Sequence, residues 1–424
     1  MNKMKEIEFE ILHSNKHRIY LLCGIVCIVV LMVTLIITTS KAKYKTTQSL
    51  PLINGTINYD LSDLNLIGAY IQEGEEYKQV NEIPLSGYEF NSEKSYCTVN
   101  GENINATINF DIETQTLSVV PLTKKGTKCY LYFDEKSSGS EYILASPNAP
   151  TNHTTDWTGK ESYYYTGNPD NWVSFAGFYW RIIRINGDGS IRMIYQGVAD
   201  SPTPDAGNMT GEGTQIGTGQ FNSSDDNNMY VGYMYQSRQL HGLQTSSTIK
   251  GVLDSWYKNN IANKGYGEYV DGNSGFCGDR RVTSGTGIST STTYYQPSTR
   301  ISNSSPSLTC QTEDIYTTSG SGTGNKALTQ PIGLISADEA MFAGIPWWAN
   351  ESNTNNYLYT DNSYWTMSPD HFSSSYAYML LTGSSIGFSS TSYTAGVRPV
   401  INIRADVQIT GSGTSTDPFI VVGA

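Results

Sequence analysis

The stretch from Ile19 to Thr39 (IYLLCGIVCIVVLMVTLIITT) carries no charged residue. An α-helix needs roughly 20 apolar residues to cross the hydrocarbon core of a bilayer, so this run predicts one transmembrane helix, with a tail over 1–18 before it and a lysine-spiked linker over 40–50 after it. A cleavable signal peptide is the rival reading, because Ser40 and Ala42 place small residues behind an apolar run. The length of the run and Lys41, Lys43 and Lys45 at the would-be cleavage site favour an uncleaved anchor. Flanking charge does not orient the helix, since Lys16 and Arg18 oppose those lysines and the positive-inside rule counts both sides. The downstream cysteines do, because Cys97, Cys129, Cys277 and Cys310 suit an oxidising exterior. The expected topology is a single pass through the plasma membrane, the lipid bilayer as one partner and the bulk of the chain extracytoplasmic.

Beyond this anchor, a chain of 424 residues is long enough for two domains with their own cores. A net charge of −12 argues against nucleic acid as a partner, which would need clustered Lys and Arg. Charged residues make up only 16% of the chain, and 30 tyrosines add to the Ser, Thr, Asn and Gly that make it polar.

Over 51–135, short alternating runs (SYCTVNG, ATINFDIET, TLSVVPL, GTKCYLYFD) separated by turn residues predict a small β-sandwich, with Asn100-Gly101 as a hairpin turn. A Cys97–Cys129 bridge would join two of its strands. Glu135 to Thr155 turns to Ser, Gly, Pro and Asn and reads as a linker, which starts the second domain, 136–424, at Lys136. Phe175 to Tyr195 (FAGFYWRIIRINGDGSIRMIY) predicts an antiparallel pair around Asn186-Gly187-Asp188-Gly189. Two helices follow. One covers Ser247 to Ile261, with Ile249, Val252, Leu253, Trp256 and Tyr257 as its apolar stripe. The other covers Ala337 to Ala343 behind a Ser336/Glu339 capping box. Ser201–Ser224 and Thr283–Gly324 read as loops, and strands return over YWTMSP, YAYMLL, SIGFSS, GVRPVINI and PFIVV.

WRIIRINGDGSIRMIY, FNSSDDNNMYVGYMY, TIKGVLDSWY, IGLISADEAMFAG, YWTMSP and GVRPVINI together resemble the C-type-lectin-like modules of Gram-positive bacterial surface proteins, whose fold is similar to that of the formylglycine-generating enzyme. The resemblance covers about Tyr142 to Ala424, and the segment before it resembles the small β domain that often precedes such modules. It implies an α+β class: an N-terminal transmembrane helix, a small β-sandwich, then a C-type-lectin-like domain with two helices, small antiparallel sheets and long loops.

Candidate chemistry is sparse. An even cysteine count outside the membrane favours structural bridges, and of three possible pairings 97–129 with 277–310 is preferred. A redox role for Cys277 and Cys310 is the competing reading, although their surroundings do not match the catalytic motif of the formylglycine-generating enzymes. Asp370-His371 near Ser368 names hydrolase residue types without a nucleophile elbow, and no catalytic residue is assigned. Asn168-Pro169-Asp170-Asn171-Trp172 reads as a turn rather than a sugar-binding calcium string. Asp271-Gly272-Asn273-Ser274 has oxygen ligands at close spacing but too few acids for a calcium loop, so no cofactor is expected beyond a conceivable structural calcium. Trp347, Trp348, Tyr357 and Tyr359 are the candidate ligand-binding residues, since Trp and Tyr offer large contact area with a polar handle. The functional expectation is a membrane-anchored binding or adhesion protein for an extracellular protein or glycan, against an extracytoplasmic enzyme or a structural envelope protein.

Overall fold

A computed structural model describes residues 64–73, 76–83, 88–111, 116–120, 126–201, 203–204, 211–320, 322–348, 354–373, 378–382 and 385–424. The tail, the apolar run Ile19–Thr39 and the linker lie outside these residues. Among the described residues no helix is long and apolar enough to cross a membrane. The chain divides into two compact units, Met1–Glu135 and Lys136–Ala424.

The first unit is built from β1 (Leu64–Glu73), β2 (Glu76–Val80), β3 (Tyr88–Val99), β4 (Glu102–Asn103), β5 (Thr107–Asp111), β6 (Thr116–Val120) and β7 (Thr127–Glu135). Five of these form a sheet in the order β2-β1-β7-β3-β4, and β5 and β6 form a separate hairpin. Period-two alternation decides which side chains face inward. In β7, Cys129, Leu131 and Phe133 are buried while Tyr130 and Tyr132 are half-exposed. The hairpin adds Ile108, Phe110, Leu117 and Val119 to that core, with Phe110 edge-on to Phe133 at 5.5 Å. Cys97 and Cys129 stand directly opposite on β3 and β7 and are disulfide-bonded. At Asn100-Gly101 both residues take positive φ, 54° and 87°, the conformation that a two-residue hairpin turn requires.

The second unit is centred on an eight-stranded sheet containing β8 (Asn152–Thr155), β9 (Glu161–Tyr164), β10 (Trp172–Phe175), β11 (Phe178–Ile185) and β12 (Ile191–Val198), extended by the strands Val400–Ile403, Phe419–Val421 and Ile409–Thr410. Every residue of β11 is buried, as expected of a strand covered on both faces. The helix Thr248–Asn260 is capped by Ser247 Oγ and buries Ile249, Leu253 and Tyr257. Its Trp256 packs on Phe178, Trp180 and Tyr195, whereas Val252 is 37% exposed and lies off the apolar stripe.

The structure corrects the α+β expectation. Of the described residues 16% are helical and 37% lie in strands, and the helices are short pieces set among strands. The helix content is also distributed differently from the two-helix reading. Glu135–Thr155, read as a linker, contains the helix Gly139–Ala145 with its own Ser138/Glu141 capping box. The loop read over Thr283–Gly324 contains the strand Thr293–Tyr295 and the helix Gln296–Ser302.

Candidate aromatic binding site

The helix Ala337–Phe342 has the reciprocal capping box expected of Ser336 and Glu339. It ends at Gly344, whose φ of 94° turns the chain out toward Trp347. From there the segment is zipped to the strand Ile386–Ser389. The Ile386 N–H donates to Pro346 O at 2.9 Å, the Trp348 N–H donates to Ile386 O at 3.3 Å, and Trp347 forms a bridge with Ile386. This pairing brings Phe388 against both indoles, with centroids 6.3 Å from Trp347 and 5.5 Å from Trp348. A second pairing extends the row. The strand Thr293–Tyr295 runs antiparallel to His371–Phe372 with Tyr294 opposite His371; their rings stack at 5.3 Å, and His371 meets Phe388 edge-on at 4.9 Å. Trp348, Phe388, His371 and Tyr294 thus form one row of touching rings, with Trp347 alongside. Trp348 is 55% exposed and Tyr294 43%. Trp348 also has a φ of 45°, left-handed backbone that is uncommon for a bulky residue.

The row stands on a buried ionic framework. Arg184 Nε and Arg192 Nη2 donate to the two oxygens of Glu339 at 2.9 and 3.2 Å. The Ser336 N–H donates to the same carboxylate at 2.9 Å, and Arg184 Nη1 reaches Asp156 at 3.3 Å. Although burial opposes its charge, the two guanidiniums hold the Glu339 carboxyl down at about 2. Arg300 forks onto Asp338 at 2.7 and 2.8 Å and donates to Asp279 at 2.7 Å, while Arg281 also holds Asp279. Arg280 pairs with Asp314, whose carboxylate also meets His241. Glu339 and Asp338 lie on the helix that leads to Trp347, and Arg300 lies on the helix that follows Tyr294. The framework therefore fixes the segments that carry the rings.

Of the candidate ligand residues, the structure brings Trp347 and Trp348 into ring contact at 5.4 Å. The Tyr357 N–H donates to Gly167 O at 2.9 Å and its side chain is buried, 3% exposed. The Tyr359 hydroxyl donates to Asp361. Tyr294 and the contribution of His371 to the row were not singled out from sequence; a three-residue strand in a Ser/Thr-rich run gives no periodic signal.

The remaining candidates have structural partners. Cys277 and Cys310 are bonded to each other. Ser368 is buried, and its Oγ accepts the Ala337 N–H at 3.0 Å, while His371 Nδ1 lies 2.8 Å from Asp370 Oδ2. Asn171 is buried, with its Nδ2 donating to Ile182 O and its Oδ1 accepting from Arg181 Nε, so its amide is committed to the neighbouring strand at the entry to β10. Asp271 Oδ1 accepts the Asn273 N–H at 2.7 Å. Among the described residues no group of three or more His, Cys, Asp or Glu side chains could hold a metal ion.

Comparisons with known protein families, with curated proteins and with solved structures find no match.

Proposed function

We propose that this protein is an extracytoplasmic binding protein, anchored through its N-terminal apolar run, whose second unit engages a glycan along the row of rings. The exposed, contiguous row Trp348–Phe388–His371–Tyr294 carries the proposal. Aromatic rings held by paired backbone segments offer apolar faces with little rotamer entropy to lose. The row's one titratable base, His371, has a nitrogen held by Asp370, so a neutral ligand with apolar faces suits it better than a charged one. Two disulfides support the extracytoplasmic placement.

The test is a glycan array probed with the full-length chain and with Trp348→Ala and Tyr294→Ala. Each substitution is expected to weaken binding at least about tenfold, as truncation of an aromatic anchor does. An array with no ligand, or one whose ligands bind both variants as tightly as the parent, would sink the reading.

A further inference from the structure

Period-two alternation sends one set of side chains in the first unit away from its core. Tyr130 and Tyr132 of β7 lie on that outer face, half-exposed, while Cys129, Leu131 and Phe133 point inward. Register places another tyrosine directly beside each of them. On one flank Tyr70 of β1 stands opposite Tyr132, and on the other Tyr96 of β3 stands opposite Tyr130. Tyr70 and Tyr96 are half-exposed as well. Both pairs are stacked, with centroids 4.8 Å apart and ring planes that differ by 11° in Tyr70–Tyr132 and 19° in Tyr96–Tyr130.

Tyr77 of β2 also touches Tyr132, at 5.2 Å, but it meets that ring edge-on at 71°. Its hydroxyl is held by Asp134 and Lys94. Ring orientation decides whether such neighbours can be joined by oxidation. The unpaired electron of an oxidised phenol lies in the π system, on the oxygen and on the two Cε carbons beside it. Two such rings join through a carbon–carbon bond that begins perpendicular to both planes, so stacked rings are aligned for coupling and edge-on rings are not.

We propose that Tyr70–Tyr132 and Tyr96–Tyr130 are sites of oxidative cross-linking, each joined through Cε atoms into a dityrosine when the chain meets hydrogen peroxide and a haem peroxidase. Each phenol gives up one electron and its hydroxyl proton. The two ring radicals pair to form the Cε–Cε bond, and each bonded carbon then loses its hydrogen as a proton, which returns to the phenolic oxygen as aromaticity is restored. Hydrogen peroxide takes up the two electrons and two protons and leaves as two water molecules. The Cys97–Cys129 bridge already joins β3 to β7; a Tyr70–Tyr132 bond gives β1 the same covalent hold. The coupling takes place in the first unit and does not depend on glycan binding by the second.

The experiment treats the full-length chain, native and dilute, with a haem peroxidase and limiting hydrogen peroxide, and maps the cross-linked peptides by mass spectrometry. Peptides joined at Tyr70–Tyr132 and at Tyr96–Tyr130, each pair lighter by two hydrogen atoms, should appear in monomeric chain together with dityrosine fluorescence. Tyr230–Tyr235 is the internal control, since those half-exposed rings are comparably close, at 5.2 Å, but meet at 69°. Orientation should favour each stacked pair over this one by about tenfold or more. Tyr70→Phe keeps the ring and should abolish the Tyr70–Tyr132 link alone, and unfolding in guanidinium should erase the selectivity. Neither link in the native chain, equal coupling at Tyr77–Tyr132 or Tyr230–Tyr235, or links formed only between chains would overturn the proposal.

Discussion

Glu339→Gln tests whether the ionic framework holds the second unit together. The substitution keeps side-chain size and leaves an amide oxygen to accept the Ser336 N–H, so the helix cap survives. It removes the charge that faces Arg184 and Arg192, both buried. Leaving such cations with one carboxylate, Asp156, is the situation in which breaking a buried pair costs about 3–5 kcal/mol. For a domain of this size that is a fall of about 8 °C in Tm. All 7 tryptophans lie beyond residue 135, so indole fluorescence in guanidinium reports the second unit within the full-length chain. The pH dependence supplies the control. The folded carboxyl titrates at about 2 against an ordinary 4.5, so the stabilisation it gives is complete above about pH 4.5 and is lost as pH falls toward 2. Parent and variant should therefore differ at pH 7 and converge between pH 4.5 and 2. A loss under about 1 kcal/mol at pH 7, or a gap that persists at pH 2, would refute this account.

Other perturbations probe separate links. Arg300→Lys replaces a two-pronged contact with Asp338 by a point charge and should cost about 2 kcal/mol; equal denaturation midpoints would reject a role for the fork. Ser336→Ala removes the acceptor of the Glu339 N–H and should cost about 1 kcal/mol, read from the same transition. Replacing Cys277 and Cys310 together by Ser opens a bridge with a sequence separation of 33 and should cost about 3–4 kcal/mol by the chain-entropy model. Peptide mapping of the native chain should find Cys97–Cys129 and Cys277–Cys310 joined; a free thiol at any of them would contradict the bridge it belongs to.

What could be read from sequence was what local chemistry specifies. The hairpin Phe178–Val198, the Ser336/Glu339 box and the Ser247-capped helix each carry their signal within a few residues, and each formed. The short helix Gly139–Ala145 has the same S-x-x-E signature, yet it lies in a Ser- and Gly-rich run whose composition suggested a linker. Thr293–Tyr295 is too short to show a period, and its partner His371–Phe372 lies far along the chain. Long range also hid the framework: Arg184 and Glu339 are 155 residues apart, and nothing around either marks the other. Tyr357 shows the converse error. Closeness in sequence to Trp347 suggested one surface, but its backbone bond to Gly167 commits it to the interior.

The framework and the ring row are best understood as one device. A row assembled from four separate segments is only as well ordered as those segments, because loop backbone by itself leaves each ring free to move. Here the helix before Trp347 is held at Asp338 and Glu339, and the helix after Tyr294 is held at Arg300. The segment before His371 is joined to the first of these through Ser368, whose hydroxyl accepts the Ala337 N–H. Buried ion pairs contribute little net stability when compared with apolar packing of the same volume, but removing one partner is costly. Their effect is to make a wrong arrangement expensive, which is what a preorganised binding surface on short elements requires. If the row binds a glycan, Arg300→Lys should weaken that binding although Arg300 is not one of its rings, whereas an apolar truncation at least as destabilising, Ile143→Ala within the helix Gly139–Ala145, should leave it unchanged.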